Sequence, residues 1–140
     1  MRAVLDTSVL VAALRSSTGA SSLLVEAVLS ERMKPLISVP LVLEYEAVLT
    51  RPEHLLASGF TAQEAVKIVK AFCRKGEPVH IAFRLRPQLL DPNDEFVLET
   101  AFHGRADVIV SFNRKDFEPA KAFGIQTISP KEAWQKMRSL

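Results

Sequence analysis

Cysteine occurs once, as Cys73, so no internal disulfide can form. Set in a helical pattern, this thiol reads as a small apolar side chain rather than a nucleophile. Net charge is also scant. Eighteen basic against sixteen acidic side chains leave only +2, so the molecule is no polycation, and nucleic-acid binding has to come from local basic patches. Aromatic residues make up 7% and are mainly phenylalanine. Trp134 and Tyr45 read as core or interface residues rather than base-stacking platforms. The N-terminal apolar run is cut by Asp6 and is too short for a signal peptide or a membrane span. A soluble cytoplasmic protein with no membrane contact is expected. No Gly-rich loop follows the first strand candidate, which disfavours a dinucleotide site. Repeats, low-complexity tracts and linkers are missing as well.

What is present is apolar residue in quantity: 48% of 140 positions. That suits a sizeable core, argues against disorder, and fits one domain over residues 1–140. Short apolar runs at residues 3–5, 36–39, 77–83, 107–111 and 124–128 read as strands. Helical spacing is expected over residues 8–14 and 21–29, and from Pro40 to about Thr50, stopping before Pro52. Thr61-Ala62-Gln63-Glu64 and Ser129-Pro130-Lys131-Glu132 are capping boxes that open two further helices. Another helix runs from about Asn93 to His103, closed by Gly104. Val108, Ile109 and Val110 form a continuous β-branched run, which suits a strand covered on both faces. Strands alternating with helices predict an α/β fold of three layers, α/β/α, around a central, mostly parallel sheet of about five strands. In such sheets ligands sit beyond the carboxyl ends of the strands.

The polar residues at those ends are mostly acids. Asp6 directly follows the first strand, Glu44 projects from the helix after the second, and Asp94 opens the helix before the fourth. Asn113 and Asp116 come just after the fourth. Carboxylates crowded to ~4 Å repel by on the order of 4 kcal/mol per pair in a partly screened site. They stay charged together only around a cation. Hard oxygen donors with few histidines favour Mg²⁺ or Mn²⁺ over zinc. The substrate class that best uses such an ion is a phosphodiester. Each acid also has a plainer reading. Asp6 could cap the next helix, Glu44 could be solvated like Glu46, and Asp94 could simply favour the helix dipole. Asp91, before Pro92, reads as a turn residue, and Glu95 and Glu99 read as surface positions. Only the ordered set of acids argues for a site.

That set resembles a known family. Val4-Leu5-Asp6-Thr7-Ser8-Val9-Leu10-Val11 is similar to the first motif of PIN-domain proteins. The stretch from Val42-Leu43-Glu44 to Thr50-Arg51-Pro52 resembles the second, and Asp91-Pro92-Asn93-Asp94-Glu95 onward to Ala101 the third. Residues 106–117, with Ser111-Phe112-Asn113 and Asp116-Phe117, resemble the fourth, and Gly124 to Pro130 the last strand. The resemblance is nearest to VapC-type toxins of toxin–antitoxin systems. It implies a Mg²⁺- or Mn²⁺-dependent endoribonuclease, usually a homodimer, inhibited by a cognate antitoxin. By resemblance Asp6 and Asp94 hold the metal with Glu44, and Asp116 assists. Many members carry an aspartate where this chain has Asn113, which puts a second metal site in question. Ser8 and Ser111 are expected to orient an acid or a water. Arg114, Lys115 and Arg15 are the expected RNA contacts, with Arg51, Arg84 and Arg86 as others. The aliphatic helices at residues 21–29 and 41–49 suggest the dimer face. Two alternatives stand beside this reading. One is a catalytically weak or inactive PIN-like domain that binds RNA or a protein partner. The other is a phosphatase with Asp6 as nucleophile; such sites want a second acid two residues on, where Ser8 stands.

Overall fold

The computed structural model of the chain describes residues 1–139. Its elements run β1 (Ala3–Leu5), α1 (Thr7–Arg15), α2 (Ala20–Leu29), β2 (Leu36–Ile37), α3 (Val39–Leu49), α4 (Pro52–Ser58) and α5 (Ala62–Arg74). After these come β3 (Glu77–Pro78), α6 (Glu95–His103), β4 (Val108–Val110), a 3-10 segment (Arg114–Phe123), β5 (Gln126–Ile128) and α7 (Pro130–Arg138). Both capping boxes form: Thr61 and Ser129 each accept from the backbone N–H three residues on, and Glu64 and Glu132 reach back.

All strand pairs are parallel, as expected of an α/β/α fold. The single five-stranded sheet is not formed. Three strands make one sheet in the order β1-β4-β5, and β2 pairs with β3 in a separate two-stranded sheet. Ala3, Val4 and Leu5 lie beside Val108, Ile109 and Val110, and all six are buried, because helices cover both faces.

The third strand is much shorter than its apolar pattern predicts. Pro78 has no N–H to donate, and β3 ends there. Beyond Val79 the chain is irregular, and side chains of α6 satisfy its backbone. Leu85 N–H donates to Glu99 Oε2 at 3.0 Å. Gln88 and Leu89 N–H donate to Glu95 Oε1 at 2.8 and 2.6 Å. Glu95 and Glu99 are therefore not surface residues; they are only 2% and 3% exposed. A buried carboxylate needs a counter-charge or several donors. Arg86 supplies one, donating to Glu99 Oε1 while its guanidinium lies 4.5 Å from the Phe96 ring centre.

Two elements have no counterpart in the apolar pattern. Helix α4 is seven residues long, starts at Pro52 and stops at Gly59, whose φ of 79° is left-handed. The 3-10 segment carries Pro119 inside it. Gly104 does follow α6, but with an ordinary φ of −84°, and Arg105 takes the left-handed turn instead. Space dictates the glycine: a Cβ at 104 would lie 2.8 Å from Leu36 Cδ1 and 2.9 Å from the Thr100 carbonyl.

The aliphatic helices mostly serve the chain's own core. Leu24, Val25, Ala27 and Val28 of α2 and Leu41, Val48 and Leu49 of α3 are buried. Val39 and Leu43 remain outside, 74% and 60% exposed. Tyr45 is wholly buried, and Trp134 is packed against the core. Cys73 is half-buried against the same core, and burial pushes its thiol up to about 11, far from nucleophilic range.

Candidate metal centre

The end of β1 delivers Asp6 into a cleft of about 490 Å³. Glu44 enters it from α3 and Asp94 from the start of α6, so three distant stretches of chain meet there. Asp91, Asn93 and Asn113 line it too, as do Thr7, Ser8, Arg15, Arg51 and His54.

Asp6 sits at the N-terminus of α1 yet makes no side-chain cap bond. Its Oδ2 instead accepts from two hydroxyls, Ser8 Oγ and Ser111 Oγ, each at 2.7 Å. Neither hydroxyl touches Oδ1. Asp6 is 5% exposed, and burial raises its pKa against the pull of these hydrogen bonds. Ser111 is itself wholly buried and accepts from the Asn113 N–H at 2.9 Å, which fixes the turn after β4.

Asp94 is pushed up to about 7. Burial is the main cause, followed by the negative charges of Asp6, Asp91, Asp116 and Glu44. Glu44 is raised as well, by burial first, with Arg51 pulling down and Asp91 and Asp6 pushing up. Asp94 thus feels four other carboxylates. Among the described residues no three acid, histidine or cysteine side chains stand close enough to form a ready-made cluster. They share one cleft, and rotamer changes would have to bring them onto an ion. The donor set fits a hard divalent cation: carboxylate oxygens in excess, no thiolate, and one histidine turned to another partner.

The outer residues divide. Asp116 does not line the cleft but opens the 3-10 segment, near enough for its charge to raise Asp6 and Asp94. Arg15 lines the cleft, and its guanidinium meets His54 Nδ1 at 2.8 Å. Arg114 does not. It is ion-paired with Glu132 and lines a different depression with Phe117 and Lys121. Lys115 is exposed and outside the lining. Arg86 is held by Glu99, so it is no free contact either.

Sequence reasoning missed two groups. Asp91 is a turn residue, its Oδ1 accepting from the Asn93 N–H at 2.9 Å, but it is also an acid of the cleft. Its place before Pro92-Asn93 signalled only the turn. His54 lies on α4, which the apolar pattern did not mark, so nothing local pointed to it.

A family model described as PIN domain matches residues 2–115, which span Asp6, Glu44, Asp91 and Asp94, the four acids of the cleft. The chain belongs to the PIN-domain family, whose members are generally nucleases, typically with divalent metal ions. No curated protein and no solved structure matches it.

Proposed function

We propose that the chain is a Mg²⁺- or Mn²⁺-dependent endoribonuclease. One observation carries this reading: Asp6, Glu44 and Asp94, from three separate elements, share a cleft with Arg15 and Arg51. Asp6, Asp94 and Glu44 would hold the ion, with Asp116 in support, and a divalent ion there supplies charge for a phosphate oxygen and lowers the pKa of a water. The chain's own residues do the rest. Ser8 and Ser111 grip Asp6 Oδ2 and leave Oδ1 clear of either hydroxyl. Arg15 and Arg51 attract the flanking phosphates, and Asn113 offers an amide at the rim. Single-stranded or looped RNA suits an open cleft, because its phosphates can be brought close to the acids.

The finer reading is the toxin of a type II toxin–antitoxin pair, working in the cytoplasm as a homodimer and restrained by a cognate antitoxin. The motif resemblance supports the toxin role. Exposed Val39 and Leu43 beside Pro78 and Val79 support the dimer. Asn113 in the cleft favours the alternative of a weak or inactive domain that binds RNA or a partner. The test is RNA cleavage with Mn²⁺ by the wild-type chain and by Asp6→Asn and Asp94→Asn, alongside Mn²⁺ titration. Cleavage by the wild type and loss of on the order of a hundredfold in both variants is expected. Undiminished cleavage in both variants refutes the site assignment. A wild type with little Mn²⁺ affinity and no cleavage selects the inactive binder.

A further inference from the structure

Buried hydrogen bonds tie together the elements that carry the acids. Ser111, just past β4, donates to Asp6. Ser38, at the start of α3, lies 2.7 Å from Thr100 Oγ1 on α6. Since Thr100 donates its proton to the Phe96 carbonyl, Ser38 is the donor in that pair. The remaining tie runs from the Tyr45 hydroxyl to the Leu5 carbonyl at 2.5 Å. Tyr45 is the neighbour of Glu44, and Leu5 is the neighbour of Asp6. A single bond across 40 positions therefore joins the side chain next to Glu44 to the backbone next to Asp6.

The topology explains why that carbonyl needs a partner. Asp6 N–H donates to the Val110 carbonyl at 2.9 Å, toward β4. Backbone groups alternate along a strand, so the Leu5 carbonyl points the opposite way. That way lies the open edge of the sheet, because β1 is its outermost strand. A buried carbonyl without a donor is costly. The apolar core does not demand a hydroxyl here. The Tyr45 ring already packs edge-on to Phe72, centroids 5.9 Å apart, and a phenylalanine would keep that contact.

We propose that Tyr45 is a positioning residue, whose hydroxyl on the Leu5 carbonyl sets the depth at which Glu44 stands opposite Asp6. This rests on the nuclease reading above. The test compares Tyr45→Phe, which keeps the ring and loses only the hydroxyl, with Phe72→Leu, which loosens the same packing and leaves the hydroxyl. Three quantities are measured on the full chain: Mn²⁺ affinity by calorimetry, RNA cleavage at saturating Mn²⁺, and the urea midpoint. Both variants should lower the midpoint. Only Tyr45→Phe should weaken Mn²⁺ binding, by about tenfold, with slower cleavage that more Mn²⁺ does not restore. Wild-type Mn²⁺ affinity in Tyr45→Phe overturns the proposal. So does an equal loss of affinity in both variants, which would leave Tyr45 a stability residue and no more. A wild-type chain that neither binds Mn²⁺ nor cuts RNA removes the nuclease reading and the positioning role with it. A wild type that does both, matched by Tyr45→Phe, removes the positioning role alone.

Discussion

Replacing Asp94 by asparagine should change how the stability of the metal-free chain depends on pH. Asp94 titrates near 7 because it is half-buried and faces Asp6, Asp91, Asp116 and Glu44. In the unfolded chain the same carboxyl returns to its ordinary 3.8. A native pKa above the unfolded one means that folding favours the protonated acid. Its contribution is whole below about pH 4 and is lost as pH rises through about 7. The rise is roughly three powers of ten in proton affinity, about 4 kcal/mol for a fully buried acid. Asp94 is only half-buried, and solvent screening leaves on the order of 1–2 kcal/mol. Asp6 and Glu44 are raised too and act with the same sign. The assay is urea unfolding of chelator-treated protein from about pH 4 to about pH 8. Wild type should lose ~1–2 kcal/mol more than Asp94→Asn across that window. Added Mn²⁺ favours the ionised acids, so it should flatten the wild-type curve and leave that of the variant. Parallel curves for the two metal-free proteins would refute the electrostatic picture of the cleft.

Two further outcomes follow from the same contacts. Arg86→Ala leaves the buried Glu99 without its counter-charge, and should cost about 3 kcal/mol in a urea melt while leaving the salt dependence of RNA binding unchanged. A stable variant with a shallower salt slope would return Arg86 to the RNA-binding set. Ser111→Ala removes one of the two donors to Asp6 Oδ2, and should cost about 1 kcal/mol and raise the Asp6 pKa further, as read by carboxyl NMR. An unmoved Asp6 titration would mean that the Ser111 hydroxyl does not help to set that carboxylate.

Local pattern alone made much of this molecule legible. The alternation of short apolar runs with helical spacing determined the α/β class, and Thr61 and Ser129 marked two helix starts through bonds only three residues long. Asp6 and Asp94 were readable as candidates because acids at a strand end and a helix start are local facts, and Glu44 through its place in the ordered set of motifs. Ser8 and Ser111 were readable as candidate partners of an acid, but that both take Asp6 was decided by packing. Ser111 meets Asp6 across 105 positions and Tyr45 meets Leu5 across 40, distances over which no periodicity carries information. The same limit misplaced Glu95 and Glu99, whose charge suggests solvent until the irregular chain they hold is folded over them. It gave no sign that Arg114 pairs with Glu132 outside the cleft. It joined into one sheet five strands that form two, with β2 and β3 only two residues long each. Residue type and spacing decide what each segment can form. Which charges are buried, paired or left to face one another is decided only when the segments pack, because burial and Coulomb energy depend on distance in space and not along the chain.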